Sequence, residues 1–598
     1  MGEEEVPPEW DLSRLVKSTD PADVKKDLDT MLDKSKAIAA RYKGHIAQAK
    51  PKQILALYRD IDSAYPNMYQ RWKYADLLFS ADATNSVSCE LFEYARNINA
   101  KFESELKFLD LELAKTLQHR PGLIDDSVLS EFKHALEKLR ETGKYQLAES
   151  SEQLILEKNR YGIESWFLLH DALRGSRRFE MEIEGQNKEF GLLELQALAM
   201  SDSRRSVRMR ASDALHEGLA KDRLTWSYAL RSIFGDYLAM MRLRKAPDIF
   251  TLSLLSNDIS RNVLDGLIRA IQSNVGLIRR YLDTKAKITG LSKLAGFDLD
   301  APVSGSERQM SWKELRTLVV DIYSHFDEDI GGFVSGLFEN RKVDARTRPG
   351  KTGFGFCASV PSLRTSWIMM NYVGSLLDAK TLAHEVGHAI HDYLASEKHA
   401  WTNLDAGLCL AETASTFGEL LLTDRQLGES HDDSARISIL CSTLDGFRLY
   451  VFDMLVRFRF EANAFSALEN NENLDADKLD TLWSSAREEV YGDAVDWSPG
   501  TESWWAFPPH HYFPDTRFYN YPYAFGKLLV FALYGLYKEQ GLAFVPKMKQ
   551  ILSSGGSKSP EQLLGEIGFN IAGQEFWEIG FSQARAFLEE LEKLVKRT

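Results

Sequence analysis

His384, Glu385 and His388 stand as H-E-x-x-H within SLLDAKTLAHEVGHAIHDYL. On a helix, two imidazoles four residues apart lie on one face about 6 Å apart along the axis, close enough to share one zinc ion. Glu385 then projects beside that face, where its carboxylate can take a proton from water that the metal makes acidic. The chemistry requires a real helix, and the flanking residues predict one over 376–394. Gly374 precedes a Ser375/Asp378 capping box, while Leu382, Val386, Ala389, Ile390 and Tyr393 form a buried stripe flanked by the histidines. The competing reading, a pair of hydrogen-bonded core histidines, asks less of the sequence and explains less of it.

A catalytic zinc needs a third protein ligand. His391 falls seven residues after His384 on nearly the same side of the helix but about 10 Å along it, so it is expected to support the ligands from behind. The metzincin extension would place glycine and then histidine where this chain has His391 and Leu394, and it fails. Downstream, DAGLCLAETASTFGELLLTD predicts a second helix, with Leu410, Ala414, Phe417 and Leu421 buried and Cys409, Glu412, Thr416 and Glu419 on a neighbouring polar stripe. Glu412 could close a His-His-Glu site. Glu419, two turns on, is the candidate to hydrogen-bond a ligand imidazole and hold its tautomer.

Around these residues the chain is built mostly from helices. From Trp10 to about Lys285 the apolar pattern has a period near 3.6, with breaks expected at Pro51, Pro66, Pro121-Gly122 and Gly175-Ser176. Leu123 to Leu139 and Ser150 to Leu173 read as amphipathic helices with solvated charged faces. Gly290 to Gln309 loses the period and reads as a connection. GKTGFGFCASVPSLRTSWIMMNYVGS is the best β candidate, two short strands joined around Pro361 to Arg364. Polar loop residues Asp493 to Ser503 and an aromatic stretch, Trp504 to Phe525, follow. Leu528 to Tyr537, flanked by Lys527 and Lys538, reads as a buried helix too short to cross a bilayer.

Composition excludes several classes of function. With 73 Lys+Arg against 87 Asp+Glu in 598 residues, the net charge of −14 argues against a general binder of nucleic-acid phosphates. The opening MGEEEVPPEWDL lacks the basic and apolar regions of a secretory signal, so no export and no membrane are expected. Cys89, Cys357, Cys409 and Cys441 form no C-x-x-C pair, which points to a reducing, cytoplasmic setting rather than to disulfides.

At these residues the sequence resembles the M3 family of zinc peptidases, in its oligoendopeptidase F branch. The likeness runs through PEWDLSRL, GKTGFGFCASV, MMNYVGSLLDAKTLAHEVGHAIH, LAETASTFGELLL and HHYFPDTRFYNYPYAFG, in the family's order. It implies a mainly α, elongated zincin-type peptidase with a small β-sheet beside the active-site helix and a deep channel. Residues 1–195 would form part of the channel wall or lid, and residues 196–598 the catalytic domain. His384, His388 and Glu412 would hold one Zn2+ per chain, with Glu385 as general base and Glu419 and His391 behind the ligands. The aromatic stretch would supply His510 and Tyr523 to the scissile carbonyl, with Tyr512, Tyr519 and Tyr521 nearby; His510 is favoured over the adjacent His511 on its offset from Tyr512. Ser366 to Val373 resembles the strand whose free edge pairs with substrate backbone, which adds Asn371, Tyr372 and Gly374 to the candidate substrate contacts.

The reading is a zinc-dependent oligopeptidase that hydrolyses internal bonds of short unstructured peptides. A peptidyl-dipeptidase or carboxypeptidase of the same family is the alternative, and it would need a positive group to hold the terminal carboxylate. A non-catalytic helical scaffold that binds peptides would instead have lost members of the zinc set.

Overall fold

The computed structural model describes residues 6–303, 309–353 and 355–597. Residues 1–5 of the amino-terminal stretch, 304–308 of the expected connection and residue 354 of the glycine-rich stretch lie outside them. Helices dominate, as expected. The described strands are β1 (Arg178–Ile183), β2 (Gln186–Gly191), β3 (Leu294–Ala295), β4 (Val343–Asp344), β5 (Phe356–Val360), β6 (Thr365–Met369) and β7 (Val495–Asp496). The chain forms two compact units that interleave in sequence. One holds Met1–Lys144, Glu307–Gly428 and Leu533–Asn570; the other holds Tyr145–Ser306, Glu429–Ala532 and Ile571–Thr598.

In the first unit, helices Pro21–Tyr42, Pro51–Ala81 and Ser86–Leu106 pack on one another, and Asp20 and Asn85 cap two of them. Their apolar faces, including Leu28, Leu57 and Phe102, share one core with Ala358, Val360, Trp367 and Met369 of the sheet. Burying one such side chain contributes about 1.5–3 kcal/mol. That explains why Pro66 does not end its helix as expected: packing of the whole stripe outweighs about 3 kcal/mol for an interior proline. The stretch 123–139 is not one helix. It is two 3-10 turns, Pro121–Asp125 and Ser127–Phe132, followed by a helix Lys133–Gly143, because Asp126 caps a new start in its middle.

The sheet of this unit has the order β4-β6-β5. β6 runs parallel to β4 and antiparallel to β5, joined to β5 by the expected turn, in which Arg364 takes φ +49°. Residues 8–11 cover the far side: Ala345 N–H donates to the Pro8 carbonyl at 2.9 Å, and Trp367 Nε1–H to the Asp11 carbonyl at 3.0 Å. The expectation of a free edge at Ser366 to Val373 is therefore corrected. A strand has two edges, both edges of β6 are paired, and the outer edge of the sheet belongs to β5.

The motif helix runs Leu376–Lys398 and packs on β5 and β6. Its capping box is present, and Asp378 Oδ2 also accepts the N–H groups of Val373, Gly374 and Ser375 at 2.9, 2.7 and 2.9 Å. The downstream stretch is two helices, Leu408–Ala411 and Thr413–Glu429, broken at Glu412 (φ −89°, ψ 8°). Cys409 and Thr416 are buried, so the continuous polar stripe does not form. The reason is how closely this stretch packs on the motif helix. A Cβ on Gly387 would lie 2.5 Å from both the Ala414 carbonyl oxygen and the Ser415 Cα, so only glycine lets the backbones meet there.

Gly387→Ala should therefore destabilise the fold by about 1–3 kcal/mol and weaken metal retention together. Denaturant melts and metal analysis read the two effects; an unchanged melt would mean that the contact is not tight.

In the second unit, β1 and β2 form a hairpin inside the half expected to be all helix. Its burial alternates along Arg178–Ile183, and Glu184 and Gly185 turn at φ +55° and +77°. Residues 150–173 divide into Glu149–Asn159 and Glu164–Ser176, separated by a turn around Gly162. β3, within the expected connection, pairs parallel with β7. The helix Tyr521–Gln540, of which this unit holds the part up to Ala532, contains the apolar stretch, and Leu528 to Tyr534 are buried. By length and composition alone, Tyr521–Leu552 would be long and apolar enough to cross a membrane, a correction to the shorter expected run.

Candidate functional site

His384, His388 and Glu412 converge in the first unit, their ligand atoms all within 4.8 Å of one another. Glu412 Oε2 lies 3.3 Å from His384 Nε2 and 3.4 Å from His388 Nε2. Ligands bound tetrahedrally at about 2.05 Å from zinc are separated by about 3.3 Å, so these spacings fit a single small ion. The electrostatics fit too. Burial pulls His384 down, but Glu412 and Glu419 outweigh it and hold the ring near a pKa of about 10. Burial pushes Glu412 up, yet His384, His388 and the Ser415 hydroxyl bring it to about 2. Both carboxylates thus favour positive charge at this point, which a divalent cation would supply on releasing the proton.

Glu419 lies behind the cluster, Oε1 at 2.7 Å from His384 Nδ1 and Oε2 at 3.4 Å from Lys380 Nζ. A carboxylate on Nδ1–H turns the other nitrogen, Nε2, towards Glu412. Glu419→Gln preserves shape and removes charge, so metal affinity should fall about 10–100-fold in competition with a chelator. Wild-type retention would leave Glu419 only a packing role. His391 is buried and neutral, its pKa lowered to about 4 by burial, with a hydrogen bond to the Ala411 backbone next to Glu412.

Glu385 is 8 % exposed, and burial lifts its pKa to about 7. The Cys357 N–H on the outer edge of β5 donates to its carboxylate. The sequence alone did not single out this contact. Nor did it single out Gly387, although a glycine inside an amphipathic helix is itself a signal of close approach.

The aromatic candidates lie in the second unit, where burial separates them. His510, Tyr519 and Tyr523 are partly exposed and form one cluster, with ring centroids 5.3 Å apart for His510 and Tyr519 and 6.3 Å for His510 and Tyr523. His511 is enclosed by Phe460 and Trp483, with Nδ1 3.1 Å from the Trp505 carbonyl. Tyr512 is fully buried and stacks on His170 at 3.7 Å. Tyr521 is buried too, its hydroxyl bonded to Ser253 and Asn257. The expectation that Tyr512 and Tyr521 face substrate is corrected, because neither has surface to offer.

Asn371, Tyr372 and Gly374 likewise hold the loop into the motif helix. Asn371 donates to the Thr352 carbonyl at 2.9 Å, the Tyr372 hydroxyl to the Met310 carbonyl, and Gly374 N–H to Asp378. Asn371 and Tyr372, both expected to contact substrate, are partly exposed, whereas Gly374 is buried.

The profile of Peptidase family M3 matches residues 198–582. A chromosomal oligoendopeptidase F of Lactococcus lactis subsp. cremoris is 27% identical over 398 residues, which are 67% of this chain but only 65% of that protein. Oligopeptidase PepF of Bacillus subtilis is 24% identical and matches 93% of this chain and 83% of its own. A solved structure from Chlamydophila abortus has the same fold, with a TM-score of 0.88 at 21% identity over 99% of this chain and 100% of that one.

Proposed function

The chain belongs to peptidase family M3, and from that membership and the His-His-Glu geometry we propose that it is a zinc-dependent oligopeptidase cutting internal bonds of short unstructured peptides. The observation that carries this reading is the convergence of His384 Nε2 and His388 Nε2 on one Glu412 oxygen at tetrahedral spacing. Two imidazoles and one carboxylate are a donor set that suits zinc with a coordination position left open. When bound, the metal supplies a Lewis acid that acidifies water and polarises a carbonyl.

The chain's own groups do the rest. Glu385, beside the histidines and lifted by burial towards neutral pH, takes a proton from water and passes it to the leaving amine. Glu419 keeps the His384 imidazole in the tautomer that presents Nε2. His510 and Tyr523 are assigned to the tetrahedral oxyanion. That assignment is supported by the place of the aromatic stretch within the residues that match the family profile and by the partial exposure of both side chains beside buried neighbours.

Metal analysis paired with a peptide-length series tests the proposal. The expected result is one zinc per chain and internal cleavage of an unstructured peptide of about ten residues, with little attack on the same sequence inside a stable domain, which must first unfold locally. Metal-independent cleavage, or none of any peptide, would refute it.

A further inference from the structure

The second unit contains a cavity of about 230 Å3 that the catalytic scheme leaves unused. Trp483, Trp497, Trp504 and Phe507 supply apolar wall, and three arginines, Arg448, Arg457 and Arg487, line it against two acids, Asp300 and Asp453. The acids are already engaged. Arg448, 1 % exposed, pairs with Asp453 at 2.7 Å and with Asp300, and the Tyr491 hydroxyl also bonds Asp453. Arg487 donates to the Thr501 carbonyl at 3.0 Å and stacks 4.1 Å over Trp497.

Arg457 differs from the other two. Among the described residues no hydrogen bond or ion pair reaches it, and the acid whose charge acts on it most, Asp453, is held by Arg448 and Tyr491. His216, also on the wall, is kept neutral by burial, so the lining carries one positive charge in excess. An unpaired guanidinium in a half-enclosed aromatic cavity is complementary to a carboxylate borne on an apolar body. Arg457 also lies near enough to His510 and Tyr523 to act electrostatically on both, which joins the cavity to the cluster assigned to the scissile bond.

We propose that this cavity binds the free C-terminal carboxylate of the peptide, with Arg457 as its guanidinium partner and the tryptophans taking the apolar terminal side chain. The proposal rests on the oligopeptidase reading for the identity of the ligand. It makes a free carboxyl terminus a determinant of which peptides are held.

The test uses the full chain carrying Glu385→Gln, so that binding is read without turnover. Calorimetry compares Ala-Ala-Ala-Phe as the free acid, as its C-terminal amide, and as Ala-Ala-Glu-Phe amide, whose carboxylate is on a side chain. The acid should bind on the order of 10- to 100-fold more tightly than either amide, as expected for a charge-assisted pair. Adding Arg457→Gln should remove that preference, and Arg457→Lys should restore part of it. In the active enzyme, Arg457→Gln should raise KM for the acid more than for the amide, and Arg457→Lys should restore part of that difference.

Equal binding of acid and amide, or a preference that survives Arg457→Gln in a protein with a wild-type melt, would overturn the proposal. If the glutamate-bearing amide matches the acid, or chloride competes as well as the peptide does, the cavity reads any anion and the assignment to the C-terminus fails. Should the unsubstituted chain cleave nothing, the oligopeptidase reading fails, and the binding measurements still judge the cavity separately.

Discussion

Glu385→Gln is expected to retain metal at wild-type stoichiometry and to lose about 10²- to 10⁴-fold in kcat. The carboxylate is held by the Cys357 N–H and by burial between the motif helix and the edge of β5, and the amide oxygen of glutamine can accept the same hydrogen bond. What glutamine cannot do is take and return a proton. Its effect should therefore fall on kcat, with KM almost unchanged, because shape and hydrogen bonding to the ground state are preserved. Metal content by elemental analysis and steady-state rates on one peptide separate the roles: metal loss would make Glu385 a ligand, and an unchanged kcat would remove it from the chemistry.

Tyr523→Phe should lower kcat and kcat/KM together by roughly 10²- to 10³-fold, since it deletes one donor from a group of nearly constant shape. Parallel loss in both constants marks an interaction made mainly in the transition state. His510→Ala should behave similarly, because the ring is partly exposed and clusters with Tyr519 and Tyr523. His511→Ala should differ in kind. Its ring fills space against Phe460 and Trp483, so truncation should lower the melting temperature more than the rate of the protein that remains folded. A kcat defect from His511→Ala at an unchanged melt, with His510→Ala near wild type, would place the assignment one residue off.

The two histidines and the glutamate proposed as ligands and base on the motif helix are legible in the sequence because helical geometry turns spacing into position. Two histidines four apart share a face whatever surrounds them, and the capping box and apolar stripe that predict the motif helix act within a few residues. The β5-β6 turn is legible for the same reason, being local. Glu412 is legible as a residue type near the right place, but its delivery to the histidines is not: it needs a break between two helices and the backbone contact at Gly387, both set by packing between segments. Strand order is equally non-local. The resemblance marks Ser366 to Val373 as a free edge, but β4 and residues 8–11 pair and cover the side opposite β5. Among the tyrosines, composition cannot tell a buried Tyr512 from a partly exposed Tyr523, because what separates them is a histidine some 340 residues away in sequence that stacks on one of them. Periodicity within a segment records which residues face inward. Only the tertiary structure decides what they face, since that depends on surfaces brought together from distant parts of the chain.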